Sequence, residues 1–143
     1  MIELDRVSRQ FAGMRQVTAL NDLSLSIAKG EMVSIIGPSG SGKSTLLNLV
    51  GGLDRPTSGQ VRIDGEALSG LSVDGLTRIR RDKIGFIFEF FNLLPTLSCV
   101  ENVGLPLHLR GWNRTKVRER ADELLRLVQL AHRTTRSEEH TSE

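Results

Sequence analysis

A single cysteine, Cys99, stands in the 143 residues, so the chain cannot close an intramolecular disulfide, which is compatible with a reducing compartment. Cys99 has no histidine or second cysteine at ligand spacing and reads as a small packing residue. No apolar run approaches the roughly 18–20 residues of a membrane span, and the acidic opening of the chain speaks against a secretory signal. Any membrane association is therefore expected to come through a partner. Neither sign of charge dominates: 19 Lys and Arg against 17 Asp and Glu leave a net charge of +2, too small to argue for nucleic acid as a partner. The basic residues Arg114, Lys116, Arg118, Arg120 and Arg126 are diluted by Glu119, Asp122 and Glu123, as on a solvated helix face. There are no internal repeats. A hydrophobic content of 38% and a charged content of 25% are ordinary, and the length allows one domain with a core.

The most informative stretch is Gly37, Pro38, Ser39, Gly40, Ser41, Gly42, Lys43, Ser44 and Thr45. Gly37, Gly42, Lys43 and Ser44 meet the phosphate-loop spacing G-x-x-x-x-G-K-[ST]. Glycine lets the backbone curl until successive N–H groups face phosphate oxygens. Lys43 offers a point charge to the β- and γ-phosphates, and the Ser44 hydroxyl is a hard oxygen ligand suited to Mg²⁺. Met32–Ile36, apolar and partly β-branched, leads into the loop as a buried parallel strand would. Leu46, Leu47, Leu49 and Val50 follow as a buried helix stopped by Gly51-Gly52. The helix N-terminus, with its free N–H groups and positive dipole end, then lies under the phosphates. A glycine-rich turn that binds nothing has no need for lysine and hydroxyl together, so the expected ligand is a nucleoside triphosphate with magnesium.

Elsewhere, Met1–Ser8 and Ala19–Ile27 alternate apolar and polar residues as strands that pair antiparallel across Arg9–Thr18, with a turn at Lys29-Gly30. Leu53–Gly59 reads as a loop, Gln60–Ile63 as a strand and Asp64-Gly65 as a tight turn. Asp74–Arg81 suggests a short helix, and Ile84–Phe88 a second buried strand, parallel to the first under the right-handed crossover rule. Ser98 suits the N-cap of a helix reaching about Leu109, kinked or interrupted by Pro106. A further amphipathic helix starts at Asn113 or Thr115, with Val117, Ala121, Leu124, Leu125 and Val128 on one face.

Three stretches beyond the phosphate loop carry a family resemblance. These are Gly51–Gly65, Ile84–Val103 (with Asn-Leu-Leu-Pro-Thr-Leu and Glu-Asn-Val-Gly-Leu-Pro-Leu across its end) and the aromatic Phe11. With them the chain resembles the ATP-binding subunit of ATP-binding-cassette (ABC) transporters over Met1–Thr135, closest to the lipoprotein-release and macrolide-export branch. The resemblance implies an α/β fold: a P-loop NTPase (RecA-like) core with an N-terminal antiparallel β element and a partial helical subdomain, its C-terminal half missing. Residues 1–91 would form the nucleotide-binding core and 92–135 the start of the helical subdomain. It implies ATP and Mg²⁺ as cofactors, residues 37–45 as the phosphate site, and Ser44 on the metal. An aromatic at a strand end is more often core than a ligand platform; the resemblance makes Phe11 a surface on which adenine stacks. It also implies a transmembrane permease subunit, a second ATP-binding subunit in a head-to-tail dimer, and a peripheral place on the cytoplasmic face of the inner membrane. A small-molecule kinase would share the phosphate loop but not need the Ile84–Val103 block.

Two departures qualify this. Where the family has a glutamine that senses Mg²⁺ and the attacking water, this chain has Glu89. Glutamate keeps an oxygen for the metal but loses the NH₂ donor and adds negative charge near the γ-phosphate. It could hold the ion well or weaken closure, and slower hydrolysis is expected more than lost binding. Lys43 and Glu89 are thus the expected catalytic positions, with Ser44 and Glu89 on the metal. The larger departure follows Ala131, where a Leu-Ser-Gly-Gly-Gln signature, an apolar strand ending in Asp-Glu and a switch histidine do not appear. His108, His132 and His140 lack a matching context. Arg136–Glu143 breaks the pattern abruptly, resembles a translated sequencing adapter and is expected to be non-native. As it stands the chain is expected to bind nucleotide without turnover. A nucleotide-binding module without hydrolysis is the alternative to an ATPase subunit.

Overall fold

The alternation at the start of the chain folds into two paired strands, β1 (Ile2–Phe11) and β2 (Val17–Ile27), both longer than the sequence pattern suggests. The structure is a computed structural model and describes residues 1–13, 15–90 and 92–133. The two strands run antiparallel with Ile2 opposite Ile27 and Leu4 opposite Leu25, as expected. The register shifts between Leu4 and Val7, where Arg6 adopts φ 47°. Leu4 and Val7 are an odd number of residues apart, so strict alternation would put them on opposite faces. The irregularity turns both inward, and both are buried.

β3 (Ser58–Ile63) joins the other edge of β1, with Leu4 opposite Val61, and a two-residue turn leads to β4 (Glu66–Ala67). The turn residues Asp64 and Gly65 have φ 49° and 79°, the pair of positive values that matches the twist of a tight hairpin. The sheet order is β2-β1-β3-β4. Its inner face presents Leu4, Val7, Val61 and Ile63 to Leu46 and Leu49 of α1 (Lys43–Val50) and to Leu76 and Ile79 of α2 (Val73–Lys83). Ser72 caps α2, its Oγ accepting from the Gly75 N–H at 3.1 Å. Arg80 of α2 donates to the Gly52 carbonyl at 2.7 Å, which ties α2 to the end of α1.

Two expected strands are corrected. Met32–Ile36 and Ile84–Phe88 form no strand, and Met32, Ile36 and Ile87 are 98%, 91% and 102% exposed. Composition made both runs look buried, but a parallel strand takes its hydrogen bonds from neighbours delivered by crossovers. Among the described residues every strand pairing is antiparallel, and none lies beside either run.

Packing divides the chain into a first unit, Met1–Phe86, and a second beginning at Ile87. In the second, α3 (Cys99–Leu109) packs against α4 (Arg114–Leu127), and a 3-10 turn follows at Ala131–Arg133. α3 is not interrupted at Pro106. The missing proline N–H removes one hydrogen bond, and close packing on α4 supports the turn: a Cβ on Gly104 would lie 2.6 Å from Val117 Cγ1. The Ser98 N–H and hydroxyl both donate to Glu101 Oε2, at 2.8 and 2.6 Å. Asn113 caps α4. Ala121 and Leu125 are buried as the helix pattern required, whereas Val128 lies past the last helical residue and is exposed. The expected tail, 136–143, lies outside the described residues.

Candidate nucleotide-binding site

The loop before α1 owes its shape to two glycines in the left-handed region, Gly40 at φ 78° and Gly42 at φ 88°. Gly42 also sits against β2: a Cβ there would be 2.5 Å from the Ala19 carbonyl oxygen. A Cβ on Gly37 would be 2.7 Å from Ser41 Oγ, a hydroxyl that can rotate away, so it is at the Gly42 end that the curl itself excludes larger residues. The helix begins with the Leu46 N–H donating to the Gly42 carbonyl at 2.8 Å, and no side chain caps it. The first N–H groups of such a helix have no intrahelical acceptor and carry the positive dipole end, which together attract an anion.

Lys43 Nζ donates to the carbonyls of Gly37 at 2.8 Å and Pro38 at 2.7 Å. The ammonium is therefore held across the loop opening rather than loose in solvent, and its third donor makes only a long contact, 3.5 Å, to Ser41 Oγ. Ser39, Gly40, Ser41 and Ser44 are exposed, as a loop meeting a solvated ligand requires. The glycine cradle, the uncapped helix end and the tethered ammonium suit a polyphosphate. The Ser44 hydroxyl suits Mg²⁺, which takes few protein ligands when phosphates supply the rest.

Phe11 ends β1 opposite Val17 and is 40% exposed, so it is not a core residue. Val17 is two residues from Ala19, the residue that abuts Gly42, and two residues of strand span about 7 Å. Phe11 thus pairs with a residue two places along β2 from the one on which Gly42 sits. Glu89 is exposed and belongs to the second unit. His108 and His132 are exposed too.

Two side chains at this site were not foreseen. The Arg9 guanidinium lies 4.4 Å from the Phe11 ring centroid, and its Nε donates to Asp54 Oδ2 at 2.8 Å. The Arg9-x-Phe11 spacing places both on one face of a strand, a signal present in the sequence. Nothing local announces Asp54.

The backbone course is that of a P-loop NTPase. It superposes with a TM-score of 0.90, at 44% identity, on the ATP-binding cassette MJ0796, solved as a dimer in a post-hydrolysis state bound to ADP and Pi. That match covers 99% of this chain and 63% of the cassette. The ABC transporter family profile matches residues 20–143, and the chain belongs to that family. It is 47% identical over 138 residues to the lipoprotein-releasing system ATP-binding protein LolD 1 of Chlorobium chlorochromatii, covering 94% of this chain and 56% of the relative. It is 47% identical over 137 residues to the ABC transporter ATP-binding protein MJ0796 of Methanocaldococcus jannaschii, covering 93% and 58%. The macrolide export ATP-binding/permease protein MacB of a Shewanella species is 47% identical over 134 residues, covering 93% and 20%. Two of these relatives, LolD 1 and MacB, carry the names of the expected lipoprotein-release and macrolide-export branch. The chain spans little more than half the length of the first two.

Proposed function

We propose that this chain is the phosphate-binding part of an ABC transporter ATP-binding subunit and holds ATP with Mg²⁺ at residues 37–45. The observation that carries this is Lys43 Nζ tethered by the Gly37 and Pro38 carbonyls above an uncapped helix N-terminus. The loop N–H groups from Gly40 to Thr45 bind phosphate oxygens, Lys43 turns a donor to the β- and γ-phosphates, and Ser44 offers its hydroxyl to the metal. Phe11 offers its exposed ring to adenine. Bound ATP and Mg²⁺ supply the phosphoanhydride and the cation that neutralises it. Glu89 stands at the sensor position and places a carboxylate where the family has an amide.

The sequence contains no Leu-Ser-Gly-Gly-Gln and no apolar strand ending in Asp-Glu. Absence of a positioned general base costs about 10²–10⁴ in rate, so binding without turnover is the activity proposed for residues 1–143. In the whole protein, residues 1–91 serve as the nucleotide-binding core and 92–135 as the start of the helical subdomain. The subunit pairs head to tail with a second and works on a transmembrane permease from the cytoplasmic face of the inner membrane. The names of the lipoprotein-releasing and macrolide-export relatives, and the dimeric state of the MJ0796 cassette, support these partners.

Calorimetric titration with MgATP, paired with a phosphate-release assay, tests the proposal. Lys43→Ala should weaken binding about ten- to a hundredfold, since a hydrogen bond to a charged group is worth about 1.5–3 kcal/mol. Unchanged affinity would place the site elsewhere, and robust turnover by residues 1–143 would contradict binding alone.

A further inference from the structure

We infer that Arg9 is a positioning residue for the base: it fixes the Phe11 ring in place and ties it to the helix that carries the phosphate loop. This rests on the proposal that Phe11 is the adenine platform. The guanidinium carbon lies 4.4 Å from the ring centroid, inside the range in which a cation is attracted to an aromatic face. With that face covered, a planar base has only the opposite face on which to stack.

Arg9 is itself held. Its Nε donates to Asp54 Oδ2 at 2.8 Å, and the two side chains are 24% and 28% exposed. Asp54 Oδ1 accepts from the Arg55 N–H at 2.7 Å, so both carboxylate oxygens are engaged. The Asp54 N–H in turn donates to the carbonyl of Asn48, in α1, at 3.2 Å. The neighbouring Thr57 stitches the same loop to β1, its N–H donating to the Ser8 carbonyl at 2.8 Å and its Oγ1 accepting from the Gln10 N–H at 3.0 Å. A continuous path, Phe11 ring to Arg9 to Asp54 to α1, therefore joins the two ends of the nucleotide site. An Arg–Asp pair placed only for stability would not need to cover the platform.

The test separates base affinity from phosphate affinity on the full chain, by titrating MgATP and magnesium tripolyphosphate into wild type, Arg9→Met, Arg9→Lys and Phe11→Ala. Methionine keeps an apolar stem without the charge, so packing is largely retained. Arg9→Met is expected to weaken ATP about two- to fivefold, the scale of an exposed cation–π contact, with tripolyphosphate affinity unchanged and partial recovery in Arg9→Lys. If Phe11→Ala weakens ATP but Arg9→Met does not, the role given to Arg9 is wrong. Equal losses for ATP and tripolyphosphate would show a general structural effect instead and likewise overturn it. If Phe11→Ala leaves ATP affinity unchanged, the platform itself fails.

Discussion

Gly42 and Ala19 approach so closely that a Cβ on Gly42 would stand 2.5 Å from the Ala19 carbonyl oxygen. The end of the phosphate loop is therefore seated on β2, and its curvature depends on a strand more than twenty residues earlier in the chain. Steric room and the left-handed backbone both demand glycine there.

Gly42→Ala should lower the melting temperature by several degrees and weaken MgATP binding at least about tenfold. The left-handed conformation alone costs about 1–2 kcal/mol for an L-residue, and the collision with β2 adds to it. Gly40→Ala is the control: its φ is 78° but nothing lies within 4 Å, so it should show the conformational cost only. Thermal melts and calorimetry on both variants measure the difference.

Ile36→Thr should be nearly neutral in stability, within about 0.5 kcal/mol, as for ordinary surface positions. Ile36 is 91% exposed, whatever its apolar surroundings in sequence suggest. Leu49→Ala, at a 1% exposed position of α1 packed in the core with the sheet, should cost about 2–5 kcal/mol. Chemical denaturation of both variants checks the contrast.

α3 should lose helical order at acid pH ahead of α4. The Ser98 hydroxyl, then the Ser98 N–H, hold the Glu101 carboxyl below its ordinary 4.5. A carboxylate with a lowered folded value stabilises fully above its unfolded value, and that support is lost as pH falls through the lowered one. Glu101→Gln, which cannot ionise, should remove this part of the pH dependence in an amide-exchange or circular-dichroism titration.

Gly104→Val should separate α3 from α4 and cost about 1–3 kcal/mol by overpacking, because the new Cβ would meet Val117 Cγ1 at 2.6 Å. Val117→Ala in the same chain should recover a measurable part. A double-mutant cycle read by denaturation reports the coupling.

Much of the site was legible because its chemistry is local. Gly37, Gly42, Lys43 and Ser44 lie within one turn and one helix start, and the spacing alone dictates the curl, the charge and the hydroxyl. The Asp64-Gly65 hairpin, the Ser98 cap and the buried face of α4 were equally local. Arg9 and Phe11 share a strand face and could be read together, but the carboxylate that holds Arg9 is 45 residues away.

By itself the sequence determined the phosphate loop, the family and most helix boundaries, since each is written in neighbouring residues. Only the tertiary structure decided which apolar runs are buried. Met32–Ile36 is mostly apolar, yet it stands without a neighbouring strand, whereas Leu4 and Val7, separated by the charged Asp5 and Arg6, are both turned inward by a register shift between β1 and its partners. Strand burial depends on pairing between distant segments, and pairing is a property of the folded chain rather than of any stretch within it.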